Sequence, residues 1–462
     1  MNRSIPMGIV MVMVLTQSAG AESTWPDRIK EMTSQERQWT GEGESAEPLK
    51  TDMGLKEYWR MAWRRNQRLR AAFYQWKAAL KKVPQVFSLP DPMVSFTEYV
   101  EAVETRVGSQ ERAFAIQQKI PLPDKLWIRK SRAFKSAEAL YYRLEQIRLQ
   151  IMAQVAEVYY EYLYLRKAIS LTEENMTLLG NFEQVAQARY ASGLTKNQDL
   201  LKVQVELGKL ENDLLSLRAR RPVLEARMNA LLNLPETTRV PWPEVTFEEL
   251  RSRRDYQDME TLMARLKAKN PRLLSEDYRI QQSEEGLKLA KRSFFPDLTV
   301  GVKRITTGDA LNPSVTDSGK DPMMVTLSVN VPIWFSRLKA GVEEAQARVR
   351  ASMDTRQATL NDLTARLAMV HYQYTDALRQ VRLYRDGLIP KAVQSLNATK
   401  TGYEGGKADF LSLIDAQRML LSFQLAYYRY EANRFQMEAK LAALVGEVLL
   451  REEGERIDES RD

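Results

Sequence analysis

The stretch Tyr190-Ala191-Ser192-Gly193 returns 213 residues later as Tyr403-Glu404-Gly405-Gly406, and a helix of matching pattern follows each copy. Behind the first copy, apolar residues run at three- and four-residue spacing from Leu200 to Leu231. Adding 213 to these positions gives the stripe behind the second copy, and the interrupting Arg221 becomes Arg434. A helical pattern that recurs at a fixed offset indicates that one supersecondary unit has been duplicated.

Composition excludes several classes of protein. Charged residues make up 28% of the 462 residues, which excludes a bundle of membrane-spanning helices. The net charge of +8 comes from interspersed acids and bases, which is typical of solvated helix faces rather than of a nucleic-acid surface. The chain has no cysteine, so disulfides, thiolate metal sites and a lipid on an N-terminal cysteine are excluded.

The two ends of the chain differ in composition from the repeats. Residues 1–21 predict a secretory signal, with Arg3 at a positive start, an apolar core over 5–15 and small residues at 19–21. Residues 22–50 are polar and are expected to be an irregular lead-in. Residues 449–462 are acidic and are expected to be a poorly ordered tail.

Between these ends the sequence predicts two repeats, 51–234 and 257–448, joined by a proline-rich linker over 235–256. Each repeat is expected to begin with a helix, over about 55–86 in the first copy and 270–295 in the second.

After each of these helices, apolar and polar residues alternate with a period of two. This alternation predicts strands at about 93–103 and 113–120, and at about 298–305 and 323–332. Strands of this length can cross a membrane when tilted, but four strands cannot close a membrane barrel. Two alternatives remain open at this point. A homotrimer would bring twelve strands, whereas a soluble hairpin pair would pack on the helices.

A very long helix is expected after each hairpin. Residues 126–190 contain no proline and carry an apolar stripe at helical spacing. At 1.5 Å per residue such a helix is roughly 100 Å long. The second copy, over about 337–403, should be interrupted near Gly387 and Pro390.

The order of signal, helix, hairpin, very long helix, Tyr-x-x-Gly turn and heptad helix, twice over, resembles the TolC-like outer-membrane efflux factor family across residues 50–448. The resemblance implies a mainly α-helical fold with a small β part. In that family a homotrimer forms a twelve-stranded β-barrel in the outer membrane, continued by an α-helical barrel across the periplasm. Residues 104–111 and 308–322 would be extracellular loops, and the linker would form an equatorial belt.

The resemblance also assigns the functional residues. The family's glycine-containing turns form a periplasmic tip where a membrane-fusion adaptor docks. Ser192 and Gly405 depart from the hydrophobic residue that the family commonly has before the glycine. The adaptor-contact residues carried over are Tyr190, Ser192, Gly193, Leu194, Tyr403, Gly405, Gly406 and Lys407.

The aperture of the family's tunnel is lined by acidic residues six and nine positions after the second glycine. Here Ser412 and Asp415 occupy those positions, and Asp409 adds a carboxylate nearby. Three copies of Asp415 around an axis would form a carboxylate ring that favours cations. The alternative is that Asp415 interacts only with a neighbouring helix.

No residue pattern for catalysis or for a cofactor is present. His371 is the single histidine, so neither a histidine metal site nor a histidine triad can be built within one chain. The resemblance therefore implies a passive outer-membrane exit duct, not an enzyme, that an inner-membrane pump loads through the adaptor. Its cargo would be small molecules or metal cations, and residues 117–123 are similar to the heavy-metal branch of the family. The alternatives are a periplasmic coiled-coil scaffold without a pore and the duct of a type I protein secretion system.

Overall fold

The computed structural model describes residues 24–40, 49–50, 53–193, 197–250, 256–312 and 314–448. The predicted signal sequence, the acidic tail and the predicted tip residue Leu194 lie outside these ranges. The chain divides into two compact units, Met1–Glu44 and Ser45–Asp462.

The first unit contains helix α1, Trp25–Thr40, so the prediction of an irregular lead-in was wrong over these residues. The reason is a local N-terminal cap. The backbone N–H and the hydroxyl of Thr24 both donate to the carboxylate of Asp27, at 3.1 and 2.5 Å. A side chain that satisfies the free donors at a helix start stabilises the helix even where the sequence is polar.

The second unit follows the predicted order of elements twice. In its first copy are α2 (Leu55–Arg65), α3 (Gln67–Phe87), β1 (Met93–Thr105), β2 (Gly108–Ile120), α4 (Pro123–Ala191) and α5 (Asn197–Leu232). In its second copy are α6 (Met259–Lys269), α7 (Pro271–Arg292), β3 (Leu298–Thr307), β4 (Met323–Val329), α8 (Phe335–Arg382), a π-helix (Leu383–Leu388), α9 (Ile389–Glu404) and α10 (Phe410–Leu444).

The single helix predicted over 55–86 is two helices, because Asn66 ends α2 and caps α3. Its side-chain oxygen accepts hydrogen bonds from two N–H groups of the next turn, and its amide donates to the carbonyl of Leu231 at 2.9 Å. Asn270 does the same between α6 and α7, and its amide donates to the carbonyl of Leu444 at 2.8 Å. Leu444 lies 213 residues after Leu231, so the two copies share this contact.

The four strands form one antiparallel sheet in the order β1-β2-β3-β4. The two predicted hairpins are present and are joined by pairing between β2 and β3, which the sequence did not predict. The loop predicted over 104–111 was wrong: β1 and β2 extend to Thr105 and Gly108, leaving a tight turn in which Gly108 has φ +132°. The long connection over 308–322 is confirmed, whereas β4 ends at Val329 instead of 332.

Helix α4 is the axis of the helical part. Its 69 residues, at about 1.5 Å each, give a rod of roughly 100 Å. Next to the sheet it packs between α3 and α7, and α7 packs on α8. Towards the Tyr-x-x-Gly turns it packs between α5 and α10, and α10 packs on α8 and α9. The helices therefore lie side by side in one layer, in the same order as the strands of the sheet. Helices α3 and α5 form one edge of this layer, and α8 and α9 form the other.

The linker is packed against both copies. The Tyr162 hydroxyl donates to the carbonyl of Val240 at 2.8 Å, and the ring of Trp242 stacks on Tyr162 with centroids 4.3 Å apart. The Arg221 guanidinium lies 4.3 Å from the centroid of Trp242. In the second copy Phe247 packs on Tyr428 and Phe435, and the Arg434 guanidinium lies 4.1 Å from the centroid of the Phe435 ring. The arginines that interrupt the two stripes therefore lie where the linker crosses each copy.

The π-helix accounts for a change of offset between the copies. Phe335 begins α8 212 residues after Pro123 begins α4, whereas Tyr403 follows Tyr190 by 213. The second copy has one more residue, and a π-helix accommodates one inserted residue by bonding to i+5. The predicted interruption near Gly387 and Pro390 is confirmed, and its form is this widened turn.

Candidate functional site

The Tyr-x-x-Gly turns have the same geometry in both copies. After α4 the Gly193 N–H donates to the carbonyl of Tyr190 at 2.9 Å, and Gly193 has φ +73°. After α9 the Gly406 N–H donates to the carbonyl of Tyr403 at 3.1 Å, and Gly406 has φ +70°. A left-handed glycine lets the chain turn sharply at a helix end without a side-chain clash. The two glycines that the sequence selected therefore occupy equivalent positions.

The two turns are joined by Arg189. Its guanidinium donates to the carbonyl of Tyr403 at 2.7 Å and lies 4.7 Å from the centroid of the Tyr403 ring. The corresponding residue of the second copy is Gly402, where a Cβ atom would lie 3.1 Å from the Cβ of Ala408. The duplicated tyrosines consequently differ, because Tyr190 is 47% exposed and Tyr403 is 5% exposed.

The predicted tip residues of the second copy continue into the start of α10. The Lys407 N–H donates to the carbonyl of Gly402 at 2.7 Å, and Gly405 ends α9. In the first copy the Ser192 N–H donates to the carbonyl of Ala188 at 3.1 Å.

The three predicted aperture residues lie together on the first turns of α10. Asp409 is the N-cap, and its carboxylate accepts a hydrogen bond from the Ser412 N–H at 2.9 Å. Hydrogen bonds from Ser412 hold the pKa of Asp409 below its usual range. Asp415 is exposed, and its carboxylate lies 3.2 Å from the guanidinium of Arg418, one turn along the same helix.

Two residues that the sequence did not single out complete this cluster. The second arm of the Arg418 guanidinium donates to Glu206 of α5, whose side chain is 8% exposed. Hydrogen bonding from Arg418 holds the pKa of Glu206 below its usual range. Arg418 thus connects α5 with the Asp415 carboxylate. Only the packing of α5 against α10 brings the two residues together, since they are 212 positions apart in the sequence.

One face of the sheet is mainly apolar, and its polar side chains include Glu98, Arg112, Gln118 and Arg304. Register places Val94 opposite Ile116, Ile116 opposite Val302, and Val302 opposite Val325, so four apolar side chains form a row across all strands. Residues two positions apart share a face of a strand. The other apolar side chains of this face are Phe96, Phe114, Ile120, Leu298, Val300, Met323, Leu327 and Val329.

The opposite face of the sheet is mainly polar or small. It carries Ser95, Thr97, Ala113, Ala115, Gln117, Lys119, Thr299, Gly301, Lys303, Thr326 and Ser328, together with the three apolar side chains Met93, Ile305 and Met324. On the apolar face large side chains are exposed in the chain, including Phe96 at 61% and Leu327 at 68%. An apolar face of this extent needs a partner, because monomeric soluble proteins rarely expose one.

Both edges of the sheet lack a neighbour within the described part of the chain, and the outer helices α5 and α8 are covered only in part, by α2 and α6. β1 and β4 are each paired on one side only. Exposed apolar side chains also mark the helical edges, on α5 at Leu201, Val205, Leu215 and Val223, and on α8 at Met353, Met369 and Tyr372.

In the described residues no helix combines the length and apolar character needed to cross a membrane. The same residues hold no group of three His, Cys, Asp or Glu side chains that could bind a metal ion. His371 lies 2.9 Å from the carbonyl of Gln257, at the end of the linker.

The sequence of this chain is similar to those of known proteins. The family described as outer membrane efflux protein matches residues 60–234 and 262–447. The cobalt-zinc-cadmium resistance protein CzcC of Cupriavidus metallidurans is 24% identical over 417 residues, which cover 87% of this chain and 91% of that protein.

Two solved structures share the fold. The outer membrane protein VceC of Vibrio cholerae aligns with a TM-score of 0.69 at 17% identity, covering 86% of this chain and 97% of that one. CusC, whose structures concern transmembrane channel formation, aligns with a TM-score of 0.72 at 14% identity, covering 88% of this chain and 95% of that one.

Proposed function

Because the chain belongs to the outer membrane efflux protein family, we propose that three copies of it form a passive duct for export across the outer membrane. The resemblance predicted from the sequence is confirmed by this membership. As a member, the protein is located in the outer membrane and extends into the periplasm. The duct, its partners and its cargo are our proposal.

The observation that carries the proposal is the sheet with one mainly apolar and one mainly polar face. A lipid-facing apolar side and an aqueous polar side are what the wall of a membrane barrel requires. In a periplasmic scaffold without a pore, the apolar side chains of Phe96 and Leu327 would stay exposed to water. The sheet therefore favours the duct over the scaffold.

The open edges of strands β1 and β4 suggest how copies of the chain would close into a ring. A contact between β4 of one copy and β1 of the next is head-to-tail, and such contacts form rings when the rotation closes. The same rotation would bring α8 and α9 against α5 of the next copy, covering the exposed apolar side chains on both. Three copies give twelve strands, enough for a barrel that encloses a lumen.

The partners and the cargo follow from the two ends of the helices. An adaptor would dock on the turns at Gly193 and Gly406, and an inner-membrane pump would supply the energy. Three Asp415 carboxylates at the aperture would favour cations. The relative named for cobalt, zinc and cadmium resistance points in the same direction, so we propose metal cations as the cargo.

Conductance tests the duct. Purified protein should fractionate with outer membranes and conduct ions as a trimer in planar bilayers. Asp415→Asn should lower the cation-to-anion permeability ratio, read from the reversal potential in a salt gradient. Asp213→Asn, which removes an exposed carboxylate of α5 outside the predicted aperture, is the matched control. A monomer that stays in the aqueous fraction and does not conduct would refute the proposal.

Closure can be tested separately, because the chain has no cysteine of its own. Cysteines introduced in pairs at Ser95 or Thr97 on β1 and Thr326 or Ser328 on β4 should form disulfides between copies, giving dimers and trimers on a non-reducing gel. A cysteine pair at Thr97 and Lys303 is the control, since β1 and β3 are not neighbours. Absence of cross-linked trimer from all β1–β4 pairs would contradict the ring.

A further inference from the structure

A pocket of about 400 Å³ lies where α3, α4 and α7 meet, close to the sheet. Each helix contributes residues spaced to share one face, three, four or seven positions apart. The lining residues are Ala79, Lys82 and Val86 of α3, Arg129, Arg132, Ala133 and Ser136 of α4, and Gln282 and Leu289 of α7.

The pocket is lined by three cations and no carboxylate. Across the described residues, Lys82, Arg129 and Arg132 form neither an ion pair nor a side-chain hydrogen bond. Arg132 packs on Gly286 of α7, where an added Cβ would lie 3.7 Å from the guanidinium carbon. Helix α3 contains no Asp or Glu, so the pocket has no carboxylate on that side.

Several carboxylates of the adjoining segments are paired, and Glu285 of α7, between Gln282 and Leu289, lies 2.8 Å from Lys288. Asp124 lies 2.9 Å from Arg292. The Asp297 carboxylate accepts a hydrogen bond from buried Lys125 at 2.7 Å and lies 3.3 Å from Lys119. Like charges held close together without counter-charges are costly, and a bound anion would remove that cost.

The spacing of residues along α4 indicates that the pocket lies on the same side as the polar face of the sheet. Lys125, Arg129, Arg132 and Ser136 are spaced by four, three and four residues, so they lie along one face of α4. Lys125 binds Asp297, and Lys119 belongs to the polar face of β2. The exposed Trp127 lies two residues after Lys125 and therefore points to the opposite side of α4.

The second copy lacks this arrangement. At an offset of 212, Gly341 and Glu344 of α8 stand where α4 has Arg129 and Arg132, and Glu344 pairs with Arg348 at 2.6 Å. The unpaired cations are therefore a property of one repeat and not a general feature of these helices.

We propose that this pocket binds an oxyanion of the phosphate or sulfate class from the aqueous interior of the duct. Two guanidinium groups and an ammonium supply charged donors, and Ser136 and Gln282 supply neutral ones, which suits a multivalent oxyanion. The placement inside the duct rests on the proposed function, whereas binding itself does not. In a trimer the three pockets place nine cations at one level of the lumen, near the opposite end of the helices from Asp415.

Equilibrium dialysis of purified full-length protein against radioactive inorganic phosphate tests the site. We expect saturable binding, and the triple variant Lys82→Gln, Arg129→Gln, Arg132→Gln should bind at least tenfold more weakly. The variant Lys81→Gln, Lys130→Gln, Lys291→Gln removes the same number of charges, one from each of α3, α4 and α7, outside the pocket and should bind as the wild type does. No saturable binding, or equal loss in the control, overturns the proposal.

A second variant tests the site with a single substitution, in case the triple variant does not fold. Gly286→Glu adds a carboxylate beside Arg132 and should weaken phosphate binding in a protein that elutes as the wild type does in size exclusion. Full phosphate affinity in folded Gly286→Glu overturns the site.

Vesicles separate a lipid headgroup from the free anion. Phosphatidylglycerol vesicles should not displace phosphate bound to the wild type. Displacement by these vesicles, but not by uncharged phosphatidylcholine vesicles, would place the pocket on the lipid side and overturn the proposal. If the protein conducts ions but does not bind phosphate, the anion site is refuted and the duct is not. If it binds phosphate but does not conduct, the duct is refuted and the anion site is not.

Discussion

At the scale of single residues, a few polar side chains join parts of the chain that are distant in sequence. Asn66 and Asn270 each cap one helix and bind the last turn of another, in the same way in both copies. Arg418 joins α5 to α10 beside the predicted aperture. These contacts are the points at which single substitutions should have the largest effects.

Loss of either asparagine should destabilise the fold. Asn66→Ala removes an N-cap and leaves the Leu231 carbonyl without its donor, and loss of a cap costs about 0.5–2 kcal/mol. Asn270→Ala should cost a similar amount, because its contacts are the same. Denaturant unfolding measures both, and Asn361→Ala, exposed on α8, is the control. A loss confined to one of the two variants would show that the copies are not equivalent here.

The Glu206 contact should make stability depend on pH. Its pKa is lowered in the folded chain, so the carboxylate stabilises the fold fully above the unfolded value of about 4.3 and loses this effect as the pH falls through the lower folded value. The unfolding midpoints of wild type and Glu206→Gln should therefore differ at pH 7 and converge towards pH 3. Glu211→Gln, exposed on the same helix, should show no such convergence. A constant difference across this range would exclude the ion pair as its cause.

At the scale of elements, the long helices of the two copies differ by one residue, which the π-helix absorbs. Helix α4 runs without interruption, whereas α8 and α9 are separated by Leu383–Leu388. Because the offset changes from 212 to 213 across this segment, equivalent residues keep equivalent positions on both sides of it. The insertion therefore leaves the packing of both ends unchanged.

Deletion of Gly387 tests this interpretation. Because a proline inside a continuous helix costs about 3 kcal/mol, the deletion is made in the Pro390→Ala background and compared with Pro390→Ala alone. The shortened segment should form a continuous α-helix, and the free energy of unfolding should stay within about 0.5 kcal/mol of that reference, as for a change that leaves the core in place. Deletion of Glu174 from α4 is the matched control. That deletion turns Leu179 and Phe182 out of their apolar cluster, and it should cost at least about 3 kcal/mol. Equal losses would mean that the π-helix is not an insertion.

At the scale of the whole molecule, the two faces of the sheet and its two open edges matter most. Leu327 lies on the apolar face and Thr326 on the polar face of the same strand. If the apolar face meets lipid, a charge there is costly and a charge on the other face is not.

Arginine at these neighbouring positions should distinguish the faces. Leu327→Arg should lower the stability of the membrane-inserted protein by about 2–4 kcal/mol if it lies near the bilayer centre. Thr326→Arg should be tolerated because its side chain would enter the aqueous interior. The fraction recovered in the outer membrane and the unfolding midpoint in vesicles measure both effects. Equal tolerance of the two variants would argue against a lipid-facing apolar side.

By itself, the sequence determined the duplication, the order of the elements, the very long helix, the position of the second interruption and the family. These follow from local patterns, since periods of two and 3.6 residues and the turn glycines Gly193 and Gly406 are set by neighbouring residues. The sequence missed α1, whose cap at Thr24 is one hydrogen-bond pattern among polar residues. It also missed the break at Asn66, which resembled an ordinary helical asparagine.

Only the tertiary structure decided which distant residues meet. Pairing of β2 with β3 made one sheet from two hairpins and fixed which side chains share the apolar face. Packing of α5 on α10 brought Glu206 to Arg418, and packing of α3, α4 and α7 gathered three unpaired cations into one pocket. The physical reason is that side-chain periodicity specifies a face of each element, whereas the neighbour of that face depends on the register and order in which the elements pack.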